Sequence, residues 1–276
     1  MQHILCSTGA LLGRPNGRNF HLLPAFCDQL MCDGLEFMLY DSWYPQLDRL
    51  FHVLQGLSKP IYTFHMEKSI CTRLLNPDEH IASQAMDHFR INCQLASALH
   101  VPLLVLHLWD GRMAHETILS AIGRFPGLCE IASSMGLQLT VENIVTLQFD
   151  PLFYCRLLLE NTPGALFTYD TKMAAFHHQE SALYQPENQA VLRSIRHLHL
   201  NDYSGGYMEW SKFKTLHPGD GQVDFPGLML RMAAAGYTGH ITAEATSFDS
   251  TGQVDMTRLN HTLQYLRQLT KQEMCK

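Results

Sequence analysis

Residues 137–144 read LQLTVENI, and this stretch defines the kind of strand that the chain repeats. Successive side chains of a strand point to opposite faces, so Thr140 and Glu142 share one face while Leu139 and Val141 share the other. The pattern places an ionisable group at the end of a strand whose opposite face is apolar. Three later stretches repeat it: residues 165–171, 195–202 and 240–246.

Eight such stretches alternate with helical ones along the chain. The first four strands are predicted at residues 3–9, 34–40, 60–66 and 102–109. Helices are predicted at residues 77–100, 116–135, 228–235 and 256–271. The helix at 77–100 is predicted to have Asn76 as its N-cap and Pro77 as its first residue, and Gly136 is predicted to end the helix at 116–135. Eight strands alternating with helices predict a single (β/α)8 TIM barrel domain over residues 1–276. A doubly wound open sheet is the alternative, but its glycine-rich GxGxxG turn is absent.

Composition agrees with a single globular enzyme-sized domain. The chain has 276 residues, 46% of them hydrophobic, which allows a large core. A net charge of −6 argues against a protein that grips extended nucleic acid. The eight cysteines form no CxxC pair, so we expect no zinc ribbon and a reducing, cytoplasmic location. We expect neither a signal peptide nor a membrane span.

Six potential metal ligands are predicted at the carboxyl ends of strands. Because these ends meet at one mouth of a barrel, the six side chains should converge there. They are His65, His107, Glu142, Asp170, His199 and Glu244. Three carboxylates in a partly dry pocket repel one another unless a cation neutralises them. The set therefore predicts a divalent metal, and mixed nitrogen and oxygen ligands favour manganese, zinc, iron or cobalt over calcium, with magnesium a further candidate.

Each of these residues also has a simpler interpretation when taken alone. A single histidine in an apolar strand is usually a hydrogen-bonded core residue, and we expect this for His197. Asp170 alone could equally cap the following helix. Glu36 ends the second strand and Lys68 follows the third; either could contact substrate, but a cap or a surface charge is the favoured interpretation. The joint pattern favours the metal site, since independent caps have no reason to supply ligand-type residues on six strands.

The motifs that carry these residues resemble the xylose isomerase-like barrel superfamily. They are VEN at 141–143, YDT at 169–171, HLHLND at 197–202, PGDGQVD at 218–224 and GYTGHITAE at 236–244. The superfamily includes sugar isomerases and epimerases and the zinc-dependent apurinic endonucleases. The epimerase-like pattern implies that Glu142, Asp170, His199 and Glu244 bind one metal, and that Glu142 and Glu244 also act as the acid–base pair.

The endonuclease-like pattern implies a second metal, held by His65 and His107 together with Glu142. In single-metal members these two histidines can bind substrate hydroxyls instead. The chain departs from the endonuclease pattern at Met173, where that branch commonly has histidine. His217 is a candidate remnant of the third metal site and a further candidate for binding substrate.

The loop after the first strand, residues 9–19, carries Arg14 and Arg18. We interpret it as an anion clamp for substrate, with a solvated turn as the alternative. Lys172, two residues after Asp170, is a further candidate for contact with an anionic group. The stretch 203–225 between strands seven and eight predicts an ordered loop over the site.

These features lead to three hypotheses for function. The first is a metal-dependent isomerase or epimerase acting on a sugar, polyol or sugar phosphate. The second is a phosphoester hydrolase with one or two metals, acting on a small molecule or nucleotide. A barrel that only binds a ligand is the third, disfavoured by the retained acid–base pair. The expected partner is a small carbohydrate, not extended nucleic acid or a membrane, and a homo-oligomer is an open option.

Overall fold

A computed structural model of the chain describes residues 2–273. Its eight strands close into one barrel in which every strand is parallel to its neighbours, in sequence order. They are β1 Ile4–Ser7, β2 Gly34–Met38, β3 Ile61–His65, β4 Leu103–Leu106, β5 Gln138–Glu142, β6 Leu166–Asp170, β7 Ile195–His199 and β8 His240–Ala243. All eight lie inside the predicted stretches, so the predicted (β/α)8 barrel is confirmed. The predicted domain over residues 1–276 also includes Met1 and residues 274–276, which lie outside the described residues.

Ten helices surround the barrel in the described part of the chain. They are α1 Leu23–Cys27, α2 Leu47–Gln55, α3 Ile70–Leu74, α4 Glu79–Ala98, α5 His115–Ser134, α6 Pro151–Asn161, α7 Thr171–Phe176, α8 Gln189–Ser194, α9 Phe225–Ala234 and α10 Met256–Glu273. Short 3-10 turns lie in the loops, among them Arg14–Asn16 and Trp210–Lys212. Within residues 2–273, no helix has the length and apolar character that crossing a membrane requires.

Two predicted helix starts are wrong by a few residues. Helix α4 begins after Asp78, whose carboxylate accepts a hydrogen bond from the His80 amide at 2.9 Å, so Asn76 is not the N-cap and Pro77 lies before the helix. Asn76 instead accepts from the amide of Asp78 at 2.9 Å and shapes the preceding turn. Helix α9 begins at Phe225, three residues earlier than predicted, because Asp224 caps it. Gly136 follows α5 with a φ of 75°, as its position after the helix predicts.

The strands separate an apolar layer from a polar barrel interior. Leu139 and Val141 face outward and join the hydrophobic core between the strands and the helices. Thr140 and Thr168 face inward, and their hydroxyl oxygens are 2.7 Å apart. The alternation read from the sequence is confirmed, and it leaves the centre of the barrel lined by hydroxyl, imidazole and carboxylate groups directly beneath the mouth.

The long loop between β7 and α9 is organised by one carboxylate. The buried Asp202 accepts four backbone hydrogen bonds, from the amides of Tyr203, Gly219, Gly221 and Val223, at 2.8–3.0 Å. A Cβ atom at Gly221 would collide with the Asp202 carboxylate, which explains the glycine in the PGDGQVD motif. The predicted ordered loop is therefore present, and its shape is set by residue 202 at its base.

Candidate metal centre and active-site cavity

The four predicted ligands of a single metal come together at the mouth of the barrel. Glu142, Asp170 and His199 are the last residues of β5, β6 and β7, and Glu244 directly follows β8. His199 Nδ1 lies 3.4 Å from Glu142 Oε1 and 3.3 Å from Glu244 Oε2. One ligand atom from each of the four side chains lies within 4.8 Å of the others.

This spacing fits a divalent cation. Two ligand atoms that each lie about 2.1 Å from one metal are about 3.0–3.4 Å apart in octahedral or tetrahedral geometry. Asn201 fixes two of the carboxylates, because its Nδ2 donates to Asp170 Oδ2 and to Glu244 Oε2, both at 2.8 Å. Three carboxylates and one imidazole, nearly all removed from solvent, form a donor set that suits a first-row transition metal.

Asp170 serves as a helix cap and also belongs to the cluster. Its Oδ1 accepts hydrogen bonds from the amides of Lys172 and Met173, at 2.7 and 3.3 Å, and so caps α7. Its Oδ2 faces Asn201 and the other ligands. The two interpretations that the sequence left open are therefore compatible, since each uses a different oxygen.

The pKa values in the cluster show strong mutual dependence. Burial, reinforced by Glu142 and Glu244, raises the pKa of Asp170 to about 7. Burial acts in the same direction on Glu142, but His107 and His199 outweigh it and hold the pKa of this carboxyl well below its usual value. His199 likewise lowers the pKa of Glu244 to about 2 against the effect of burial. The carboxylates thus depend on neighbouring positive charge to stay ionised, which is the role that a cation fulfils.

A second group of ligand-type residues adjoins the first. His107 Nε2 lies 2.7 Å from Glu142 Oε2 and 3.2 Å from His65 Nε2. The His65 Nδ1 donates to the Met66 carbonyl oxygen at 2.8 Å, so its Nε2 presents a lone pair to this group. Burial lowers the pKa of His107 to about 4, against the attraction of Glu142. The three side chains can hold a second cation or bind substrate hydroxyls.

Glu36 has a role in the site that the sequence did not reveal. It lies in the middle of β2 and is fully buried, so the prediction of a cap or surface charge is wrong. Its Oε2 accepts from His197 Nε2 at 2.9 Å, His199 Nε2 at 3.0 Å and Thr63 Oγ1 at 3.1 Å. His199 Nε2 faces Glu36, so Nδ1 is the nitrogen turned toward the ligand cluster. Against the effect of burial, Glu244, Glu36 and Glu142 raise the pKa of His199 well above its usual value, so a bound metal would displace a proton from Nδ1. His197 is a hydrogen-bonded core residue, as predicted.

The sequence held one indication of this role of Glu36, its place in the alternation of the second strand, where side chains point into the barrel. Glu36 is paired in register with Ser7 on one side and Thr63 on the other, one layer below the strand ends. Its main partners lie on β7, 161 and 163 residues away in sequence. Such a contact across the barrel cannot be predicted from the residues next to Glu36 in the sequence.

A cavity of about 400 Å³ opens above the cluster. Of the residues predicted to bind substrate, Arg18 and Lys172 line it. Lys68 lines it too, which agrees with the alternative interpretation of this residue as a contact with substrate. Arg14 is exposed on its turn and is not among the lining residues. His217 also lies away from the lining, since its ring is held by Thr262 Oγ1 at 2.7 Å and Ser247 Oγ at 3.1 Å.

Comparisons with known proteins place the chain among related barrels. The family model of the xylose isomerase-like TIM barrel matches residues 32–269. A D-allulose 3-epimerase from Methylomonas sp. in complex with D-allulose superposes with a TM-score of 0.70 at 15% identity, covering 97% of this chain and 96% of that one. A D-tagatose 3-epimerase-like protein superposes at 0.71 and 16% identity, covering 99% and 100%. The IOLI protein with a bound zinc atom superposes at 0.68 and 14% identity, covering 98% and 96%. No curated protein sequence matches the chain.

Proposed function

We propose that this chain, which belongs to the xylose isomerase-like TIM barrel family, is a metal-dependent isomerase or epimerase that acts on a carbohydrate. The observation that carries the proposal is the placement of Glu142 and Glu244. Their carboxylates lie on either side of His199 Nδ1, at 3.4 and 3.3 Å, and both line the cavity. Two carboxylates around one substrate pocket are the groups needed to take a proton from carbon and to return one.

In this proposal the chain's own side chains move the proton. Both glutamates have a pKa well below neutral, so either one is ionised and able to accept a proton from a carbon beside a carbonyl group. The glutamate that has taken the proton becomes the acid, and it can return that proton to the neighbouring carbon. For epimerisation, the opposite glutamate first takes up a proton from solvent and then delivers it to the other face of the same carbon. Asn201 holds Glu244 in position during the transfer. A divalent metal bound by Glu142, Asp170, His199 and Glu244 would orient the substrate oxygens and stabilise developing negative charge.

The structural neighbours support the carbohydrate part of the proposal. Those described above include an epimerase in complex with D-allulose and a protein with a bound zinc atom. We extend to this chain the general activity on small sugars. The candidate ions remain manganese, zinc, cobalt and magnesium, and the neighbour with a bound zinc atom supports zinc among them. A reducing, cytoplasmic location is part of the proposal and agrees with the seven free cysteines among the described residues.

A second candidate function is favoured by one observation, the adjoining group of His65, His107 and Glu142. Two metals sharing Glu142 would suit phosphoester hydrolysis. Met173 lines the cavity where the endonuclease-like branch commonly has histidine, and His217 is not among the lining residues but is hydrogen-bonded to Thr262. The site therefore lacks side chains for a complete three-metal centre, which ranks hydrolysis second.

Metal content and substrate turnover together test the proposal. The protein, purified without a metal-affinity step, is analysed for bound metal and then assayed by NMR against ketoses and aldoses in deuterated water. We expect one metal per chain, deuterium incorporation at carbon, and loss of both with chelation. We expect Glu142→Gln and Glu244→Gln each to abolish turnover, with Glu130→Gln on the α5 surface as the matched control. A metal-free active enzyme, or near-normal turnover in either variant, would contradict the proposal.

A further inference from the structure

Arg18 stands at the rim of the cavity with its guanidinium held in place and its donors unused. Its Nε atom is buried and has no hydrogen-bond partner among the described residues. The guanidinium carbon lies 4.4 Å from the centre of the Tyr40 ring, which fixes the plane of the group. None of the ion pairs within residues 2–273 involves Arg18. A fixed cation with unsatisfied donors in a cavity is suited to bind an anion.

The backbone at Arg18 supports this interpretation. Arg18 has a φ of 51°, a left-handed conformation that costs a non-glycine residue free energy. Two contacts maintain it: the Arg18 amide donates to the Gly13 carbonyl at 2.9 Å, and the buried indole of Trp43 donates to the Arg18 carbonyl at 2.9 Å. The Tyr40 hydroxyl in turn donates to the carbonyl of Leu12 at 2.8 Å. The loop is therefore built around one orientation of this arginine.

Lys68 adds a second positive charge on the same side of the mouth. It follows β3, lines the same cavity and, like Arg18, takes part in no ion pair of the described residues. Arg18, Tyr40 and Lys68 all line this cavity, so the two cations face the same space. Lys172 differs, since it lies after β6 and its Nζ already donates to Thr215 Oγ1 at 2.9 Å.

From these contacts we propose that Arg18 and Lys68 form a subsite for an anionic group, a phosphate or a carboxylate, carried by the carbohydrate substrate. This inference rests on the proposed function and names its substrate class. The subsite lies above β1 to β3, whereas the proton-transfer glutamates end β5 and follow β8. Since β8 adjoins β1 in the closed barrel, the subsite and the two glutamates share one cavity, and its volume of about 400 Å³ falls within the size of small-molecule sites.

The test uses substrates that differ in one terminal group: a neutral ketose, its terminal phosphate ester, and the sugar acid of equal chain length. The metal-loaded full chain should prefer one anionic member by at least about tenfold in kcat/KM, and which member is preferred distinguishes phosphate from carboxylate. Arg18→Gln should reduce that preference by about 10- to 100-fold, and Arg18→Lys should restore part of it. The glutamine variant removes the charge together with the guanidinium and its contact with the Tyr40 ring, and Arg18→Lys returns the charge without the guanidinium. Lys68→Gln should have a smaller effect that disappears at high salt, because Lys68 is exposed.

Arg90→Gln is the matched control, since Arg90 pairs with Asp87 on the surface of α4, outside the cavity lining. Equal or better turnover of the neutral ketose, or an unchanged preference in Arg18→Gln, would overturn the anionic subsite and leave the proposed function standing. If no carbohydrate is turned over, the proposed function fails, and calorimetric binding of inorganic phosphate and acetate decides the subsite. A rise of about tenfold or more in Kd for Arg18→Gln but not for Arg90→Gln supports it, and equal Kd values reject it.

Discussion

Replacing Glu36 with glutamine tests how the interior of the barrel prepares the metal centre. Glu36 Oε2 accepts three hydrogen bonds, and one comes from the ring nitrogen of His199 opposite the ligand nitrogen. Glutamine keeps the shape and can place its oxygen where Oε2 lies, with its amide group at Oε1, which has no partner in the described structure. The change therefore removes the negative charge while the packing is maintained.

The expected effect is a loss of metal affinity. A carboxylate behind a ligand histidine makes the imidazole a stronger donor, and removing such a partner typically weakens metal binding by about 10- to 100-fold, or roughly 1.4–2.7 kcal/mol. We expect Glu36→Gln to raise the metal Kd by this factor while the protein stays folded. Glu36→Ala should in addition lower the free energy of unfolding by about 3 kcal/mol or more, because it leaves several buried donors without an acceptor.

Competition with a chromophoric chelator measures the metal Kd, and thermal unfolding monitors the fold. Glu67→Gln is the matched control, because Glu67 is also buried and lines the cavity, but its carboxylate accepts from Ser69 and contacts no ligand histidine. A Kd for Glu36→Gln within about twofold of the parent would refute the reasoning. An equal loss of metal affinity in Glu67→Gln would refute it too, since the effect would then come from the removal of any negative charge near the site.

Three further predictions concern the loop, the pH dependence and the second ligand group. Asp202→Ala should lower the free energy of unfolding by roughly 3 kcal/mol, measured by urea denaturation, because four backbone donors lose their acceptor; an unchanged midpoint would show that water replaces the carboxylate. Burial lowers the pKa of His177 to about 4, so the unfolded chain, with a pKa of about 6.5, binds more protons between these values. Stability from this group is complete above pH of about 6.5 and is lost toward pH 4, by up to about 3 kcal/mol; His177→Gln should flatten this part of the pH profile relative to the parent, and identical profiles would contradict it. His107→Ala should leave one metal per chain by elemental analysis, whereas a fall from two metals to one would favour the hydrolase.

The sequence by itself determined the barrel and most of its candidate ligands. Helix and strand periods are local properties, so the alternation in stretches such as residues 137–144 reports both the strand and the face of each side chain. Once eight strands are parallel, their carboxyl ends have to meet, and this alone brings Glu142, Asp170, His199 and Glu244 to one mouth.

Only the tertiary structure decided how residues far apart in sequence share these groups. Glu36 contacts His199 across the closed barrel, and Asn201 joins two carboxylates from different strands. Arg14 and Arg18 look alike in sequence, yet a left-handed backbone and the Tyr40 ring place the second in the cavity, while the first is exposed on its turn. The reason is physical: periodicity fixes the direction of a side chain relative to its own strand, whereas its partners depend on barrel closure, strand register and loop conformation, which arise from contacts among distant segments.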